Sequence, residues 1–240
     1  MMLSPDRLHR ALDATWPPST QRRCGSFLFR DGSGGGKRVS AVTVEGPFSK
    51  DALDRAEAEL SSRVALFMIR AGDNELDAIL AARGYSRIDP TIFYTAKIET
   101  LAEDPRPSSL FECWPPLALQ KQIWRDAGIG PERLAVMARA SEPRSSFIAR
   151  FQNRAAGVGF CALDREVAML HALEIEPTFR RQGVARYMVR GIASWARKQG
   201  AEWFALAVTE RNLAARGLYT ALGMVEAGRY HYRRAPEEAP

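Results

Sequence analysis

The stretch that most constrains this chain runs from Ala168 to Arg186. An apolar segment, Ala168-Met169-Leu170-His171-Ala172-Leu173-Glu174-Ile175, stops at Glu176-Pro177. A basic turn with one glycine follows, Thr178-Phe179-Arg180-Arg181-Gln182-Gly183. Apolar residues then recur at Val184, Ala185, Met188, Val189, Ile192, Ala193 and Ala196, the three- and four-residue steps of one helix face over 184–199. Gly200 supplies the stop. A strand that turns straight into an amphipathic helix belongs to a mixed α/β fold. It also leaves the first helical N–H groups unpaired at the positive end of the helix dipole. With Arg180, Arg181 and Arg186 beside them, that is a place for a phosphate-bearing anion. No Gly-Lys-Ser/Thr ends the turn and no Gly-x-Gly-x-x-Gly is present, which excludes the two commonest nucleotide loops.

Arg180-Arg181-Gln182-Gly183-Val184-Ala185 matches Arg/Gln-x-x-Gly-x-Gly/Ala. Leu173-x-Ile175-x-Pro177 leads into it. Downstream, Asn212-x-x-Ala215 and Leu218-Tyr219-Thr220-Ala221-Leu222-Gly223-Met224 follow in order. Together these resemble the GNAT superfamily of N-acetyltransferases over about the last 90 residues, with Met224 where the family has an aromatic. The resemblance implies a mixed, mostly antiparallel sheet flanked by helices, an α/β fold of the α+β mixed-sheet kind. It implies acetyl-CoA as co-substrate, its pyrophosphate wrapped by Arg180, Arg181, Gln182, Gly183, Val184, Ala185 and Arg186. Leu173, Ile175, Asn212 and Tyr219 would line the rest of the acyl-CoA arm.

Acyl transfer from a thioester to an amine needs a base for the amine proton and an acid for the departing thiolate. Glu174 sits in an apolar strand, where burial raises a carboxylate toward useful pKa values. The competing reading is a paired or partly exposed strand residue. Tyr219 stands at the family's position for a tyrosine near the sulfur; packing is its alternative role. Asn212 can cap a helix as well as touch the cofactor. His171 is a lesser candidate, equally well read as a core histidine. Trp114, Trp124 and Met137 fall on the elements that line the acceptor pocket in the family, or are ordinary core. Cys161 has no nearby histidine in sequence and is not placed as a nucleophile.

The rest of the chain narrows the class. Residues 1–104 carry 14 Lys and Arg against 15 Asp and Glu, and residues 105–240 carry 20 against 13, so the net charge of +6 lies in the half with the anion turn. The arginines are dispersed and not interleaved with aromatics, so a polyanionic small molecule explains them better than nucleic acid. No apolar run reaches membrane-spanning length. The start of the chain lacks signal-peptide regions, and three scattered cysteines (Cys24, Cys113, Cys161) lack metal-ligand spacing. The expectations are a cytoplasmic enzyme with no metal, no nucleic-acid partner and no membrane partner, its oligomeric state open.

Periodicity gives helix 5–14, strands 23–30 and 37–45, helix 49–61, strand 64–69, helix 74–82 and strand 91–98. After a proline-rich segment at 103–109 come strand 110–114, helices 117–126 and 131–140, and strands 145–151, 157–163 and 168–175. Helix 184–199, strand 203–209, helix 213–222 and strand 225–233 end the chain. The Gly32-Ser33-Gly34-Gly35-Gly36 run reads as a flexible hairpin turn. Asn74…Leu80-Ala81-Ala82-Arg83-Gly84-Tyr85 aligns with Asn212…Tyr219-Thr220-Ala221-Leu222-Gly223-Met224. The chain therefore reads as tandem GNAT-like domains, a degenerate copy at 1–104 and the acetyltransferase at 105–240, with 103–109 as linker. The first copy has Gly46-Pro47-Phe48-Ser49-Lys50-Asp51 in place of the basic turn and Leu80 in place of the tyrosine. The expected function is acetyl transfer to a primary amine, on a small molecule, a protein N-terminus or a lysine, by direct attack in a ternary complex. A non-catalytic acyl-CoA-binding or regulatory module is the alternative.

Overall fold

The computed structural model describes residues 3–60 and 64–236. The expected end of the second helix, at 61, lies outside them. The elements are α1 (Pro5–Thr15), β1 (Thr20–Cys24), β2 (Phe27–Asp31), β3 (Thr43–Val44), α2 (Lys50–Glu59), β4 (Leu66–Ile69), α3 (Asn74–Ala82), β5 (Ser86–Lys97), α4 (Ile98–Leu101), β6 (Leu110–Cys113), α5 (Ala118–Asp126), α6 (Pro131–Arg139), β7 (Arg144–Phe151), β8 (Arg154–Asp164), β9 (Val167–Ile175), α7 (Val184–Lys198), β10 (Trp203–Thr209), α8 (Leu213–Ala221) and β11 (Val225–Arg234).

Two sheets result. A small one has the order β1-β2-β3, and a large mixed one the order β4-β11-β5-β10-β9-β8-β7-β6. In the large sheet only β9 and β10 pair in parallel; every other neighbour is antiparallel. The expected mixed, mostly antiparallel sheet with flanking helices is what forms.

Two strand expectations change. The stretch 23–30 is two strands reversing at Gly25, whose φ of +57° a glycine adopts without strain. The stretch 37–45 is a 3-10 turn at Lys37–Val39 followed by only two strand residues. Its apolar side chains reach the core from the turn, and the Arg30 guanidinium takes the Ala41 carbonyl (3.2 Å) and Thr43 hydroxyl (2.9 Å).

The middle of the large sheet is built by both halves of the chain. The two strand–helix–strand units, β4-α3-β5 and β10-α8-β11, are interleaved, so the last strand of each lies beside the first strand of the other. Their helix ends match bond for bond. Tyr85 N–H reaches Leu80 C=O (3.0 Å) and Met224 N–H reaches Tyr219 C=O (3.1 Å), around Gly84 and Gly223 at φ +83° and +78°. Leu80 and Tyr219 are therefore structurally equivalent.

The segment at 103–109 is docked and not loose. Glu103 and Asp104 pair with Arg190 and Lys198 on α7. A Cβ on Gly191 would meet Leu110 Cδ2 at 2.6 Å, so the glycine lets α7 approach this segment. One side of the sheet is filled by α7, whose Val184, Met188, Val189, Ile192, Ala193 and Ala196 are buried with Leu170, Phe204 and Tyr219. The other side is covered by α1, α5 and α6, with Leu8 and Leu12 against Met169 and Phe93, and Trp124 and Met137 against Val158 and Phe160. Each such large apolar side chain contributes about 1.5–3 kcal/mol on burial.

Candidate active site

Strands β9 and β10 pair only from Val167↔Trp203 to Leu170↔Leu206 and part beyond that point. Past it, β9 has lost one neighbour, and a gap opens between Ala172–Ile175 and Ala207–Thr209. On its other edge β9 still pairs with β8, but with a slip: Val158 faces Glu174 while Phe160 faces His171. Two β9 residues, Ala172 and Leu173, thus oppose Gly159, and Ala172 takes φ +49°. The bulge carbonyl of Ala172 accepts the indole N–H of Trp124 at 2.8 Å.

This slip decides what faces the gap. Before it, Ala168 and Leu170 point to the α7 side and Met169 to the α1 side. An uninterrupted strand would put residue 174 on the α7 side. The extra residue inverts the alternation: Leu173 and Ile175 pack on the α7 side, and Glu174 turns toward α5 and α6. Burial raises the Glu174 carboxyl above its ordinary range, with Arg180 and Arg133 drawing it part of the way back.

Tyr219, on α8, packs in the core on the α7 side and lies within electrostatic reach of Glu174. It is 7% exposed, and burial with the Glu174 charge nearby pushes its phenol well above ordinary tyrosine, so it is held protonated. Its ring lies 5.8 Å from that of Tyr94 on β5, whose hydroxyl donates to Glu226 at 3.1 Å. Tyr94 was invisible as a site neighbour in the sequence, because it lies in the other half of the chain.

The anion turn forms as the residues dictate. Pro177–Phe179 makes one 3-10 turn, Arg181 takes φ +62°, and Gly183 caps α7 at φ +84°, ψ −2° with no side-chain cap. The first helical bond runs from Tyr187 N–H to Gly183 C=O (3.2 Å), leaving earlier amides of α7 without helical partners. Arg180, Arg181, Gln182 and Arg186 are exposed, while Val184 is buried and Ala185 partly so. Part of this set works locally: Arg180 Nε donates to Ile175 C=O (3.0 Å), and the Gln182 amide to Thr178 C=O (2.8 Å). Asn212 caps α8, accepting from Ala215 N–H at 3.1 Å, and is itself exposed.

Other candidates resolve into core. The ring of His171 stacks on Trp16 at 4.9 Å and its Nε2 lies 2.9 Å from the Thr15 hydroxyl, so it is a satisfied interior histidine. Trp124 and Met137 are fully buried, and Trp114 packs on Phe160. Cys161 is buried, and its thiol is pushed up by desolvation. A cavity of about 300 Å³ lined by Phe29, Arg30 and Glu59 lies on the β1–β2 hairpin, outside this constellation. Among the described residues no helix is long and apolar enough to cross a membrane.

Comparison with known proteins agrees with this fold. The family model described as acetyltransferase (GNAT) family matches residues 97–224. An uncharacterized N-acetyltransferase of Bacillus subtilis (strain 168), YobR, is 25% identical over 242 residues, covering 95% of this chain and 97% of that protein. A GCN5-related N-acetyltransferase from Kribbella flavida has a similar structure, with a TM-score of 0.72 and 14% identity over 99% of this chain and 97% of that one. A tandem GNAT protein from the clavulanic acid biosynthesis pathway superposes with a TM-score of 0.58 and 12% identity, covering 97% and 89%. With the family model spanning more than half of its length, this chain belongs to the GNAT acetyltransferase family and is an N-acetyltransferase, in a family that draws its acetyl group from acetyl-CoA.

Proposed function

We propose that the enzyme moves an acetyl group to a primary amine by direct attack within a ternary complex. What supports this reading is that the buried Tyr219 phenol lies within electrostatic reach of Glu174, which the β9 bulge turns toward α5 and α6 beside the point where β9 and β10 part. Glu174 takes the proton of the ammonium, directly or through a water. The free amine attacks the thioester carbonyl, a C–N bond forms, and the C–S bond breaks. Tyr219 gives its proton to the departing thiolate, so the products are an amide and free CoA. The exposed arginines and free amides at the start of α7 bind the pyrophosphate, and the edges of β9 and β10 line the acyl-CoA arm.

The first 104 residues then serve as a degenerate copy that completes the fold. In the turn equivalent to 180–186, Ser49 spends its hydroxyl on the Ala52 amide (3.2 Å), so that helix start is already capped, and Asp51 follows it. Leu80 supplies no proton where Tyr219 would. One acetyl-CoA per chain is expected. The non-catalytic binding module remains the second reading; it lacks support from any feature that separates Glu174 from Tyr219.

The test is a thiol-release assay with acetyl-CoA across an amine panel, with products identified by mass spectrometry and CoA stoichiometry by calorimetry. Acetylated amine with one CoA bound per chain supports the reading. Tight CoA binding with no product from any amine supports the module.

A further inference from the structure

The helix that carries Tyr219 is thinly anchored. Among the described residues of α8, Tyr219 alone is fully buried; Ala215 and Leu218 are partly so, and Leu213 is exposed. A proton donor has to be held within about 0.5 Å and 10–20° of its working geometry. Apolar burial is non-directional, so it keeps the Tyr219 ring in the core without fixing its orientation.

Tyr94 supplies direction. It is buried in the middle of β5, paired to Leu206 on β10 and to Glu226 on β11. Its ring lies 5.8 Å from that of Tyr219 at an interplanar angle of 46°, within the range of a specific aromatic pair. Its hydroxyl donates to Glu226 at 3.1 Å, so the ring is pinned at both ends. Glu226 also takes Arg229 at 2.6 Å and lies 3.6 Å from Arg216. Arg216 stands three residues before Tyr219, on the neighbouring strip of α8, and donates to Glu210 C=O at 3.2 Å. One carboxylate on β11 therefore connects the ring against Tyr219 with the helical turn that precedes it.

The other strand–helix–strand unit holds its helix in a different way. Counted from Gly84 and Gly223, Asp77 corresponds to Arg216, Leu80 to Tyr219 and Arg233 to Tyr94. The cross-strand pair Arg233↔Arg87 is likewise the counterpart of Tyr94↔Glu226. There Arg233 Nε donates to Asp77 on α3 at 2.6 Å, and Arg233 Nη1 to Tyr85 C=O at 3.0 Å. A helix with leucine at the equivalent position is tied down by an ion pair. On α8 that ion pair is replaced by a contact made to the Tyr219 ring itself.

We infer that Tyr94, held by Glu226, is a positioning residue that fixes the Tyr219 phenol for proton transfer. The inference rests on Tyr219 being the acid of the acetyl-transfer reading above. It gives the first 104 residues a part in the reaction beyond completing the sheet.

The test uses steady-state kinetics with acetyl-CoA and the best amine of the panel, with thermal melting of each variant. Tyr94→Leu should lower kcat by about 10- to 100-fold, with the KM for acetyl-CoA little changed. Tyr94→Phe keeps the ring and should recover most of that loss. Glu226 is exposed, so Glu226→Ala reads the same link where Tyr94→Leu fails to melt cooperatively; it should lower kcat by about 2- to 10-fold. In a Tyr219→Phe background neither substitution should slow the reaction further, because the proton they help to place is gone. A packing role would slow both backgrounds equally. That equal loss, a change confined to KM, or a parental kcat in the folded variants would overturn the inference and leave Tyr219 as the acid. A parental kcat in Tyr219→Phe, or no turnover of any amine, would overturn the acid reading and the inference with it.

Discussion

Gly183 separates backbone geometry from charge at the anion turn. It sits at φ +84°, ψ −2°, and no atom lies within 4 Å of where a Cβ would be. Gly183→Ala therefore meets no clash, and its cost is the left-handed conformation alone, about 1–2 kcal/mol of stability. Gly183→Glu bears the same strain and adds a carboxylate beside a bound pyrophosphate. At about 5 Å, repulsion between unit charges is about 1–3 kcal/mol over effective dielectrics from water down to about 20. With more than one phosphate charge and with salt screening, we expect a net loss of about 2–4 kcal/mol in CoA binding, or 30- to 1000-fold in Kd. Calorimetry with CoA on both variants, alongside thermal melting, reads this directly. The Ala variant should bind within tenfold of the parent, and the Glu variant should melt like the Ala variant yet bind far more weakly. A Gly183→Glu protein that binds CoA within threefold of Gly183→Ala would refute the placement of the pyrophosphate here.

Glu174→Gln should lower kcat by about 10²–10⁴-fold and remove the acid limb of the pH–rate profile, since activity needs the carboxylate ionised and burial raises its pKa. In Arg133→Gln that limb should move to higher pH, because a cation favouring the ionised form is gone; an unmoved limb would assign it to another group. Tyr219→Phe should lower kcat by a similar factor with CoA affinity little changed, and a wild-type kcat would make Tyr219 a packing residue. Arg7→Met should cost about 1–2 kcal/mol at pH 7, as its ion pairs tie α1 to the β8–β9 turn. Glu166 is lowered by that hydrogen bond, so the stabilisation is present above its unfolded pKa near 4.3 and is lost as pH falls through the folded value; a difference between melts that persists at pH 2 would count against this. Residues 105–240 made alone should fail to fold cooperatively by circular dichroism and melting, because β5, paired to both β10 and β11, is absent.

Much of this protein is local in sequence. The strand 203–209, the α7 face and its glycine cap follow from periodicity and from residues adjacent in the chain, and so does the anion turn. The equivalence of Leu80 and Tyr219 was legible too, because each helix ends on its own glycine with the same short-range bonds. What the sequence could not contain was parity and partnership. Glu174 faces α5 and α6 only because one extra residue in β9 inverts the alternation, a slip fixed by the pairing with β8 and by the Trp124 bond from α5. Tyr94 reaches Tyr219, and the glycine run reaches α6, from another part of the chain. Their nearness depends on contacts more than 80 residues apart in the chain, which no window of periodicity spans. Glycines that serve close packing and glycines that serve a loose turn look the same until the neighbouring helix is in place.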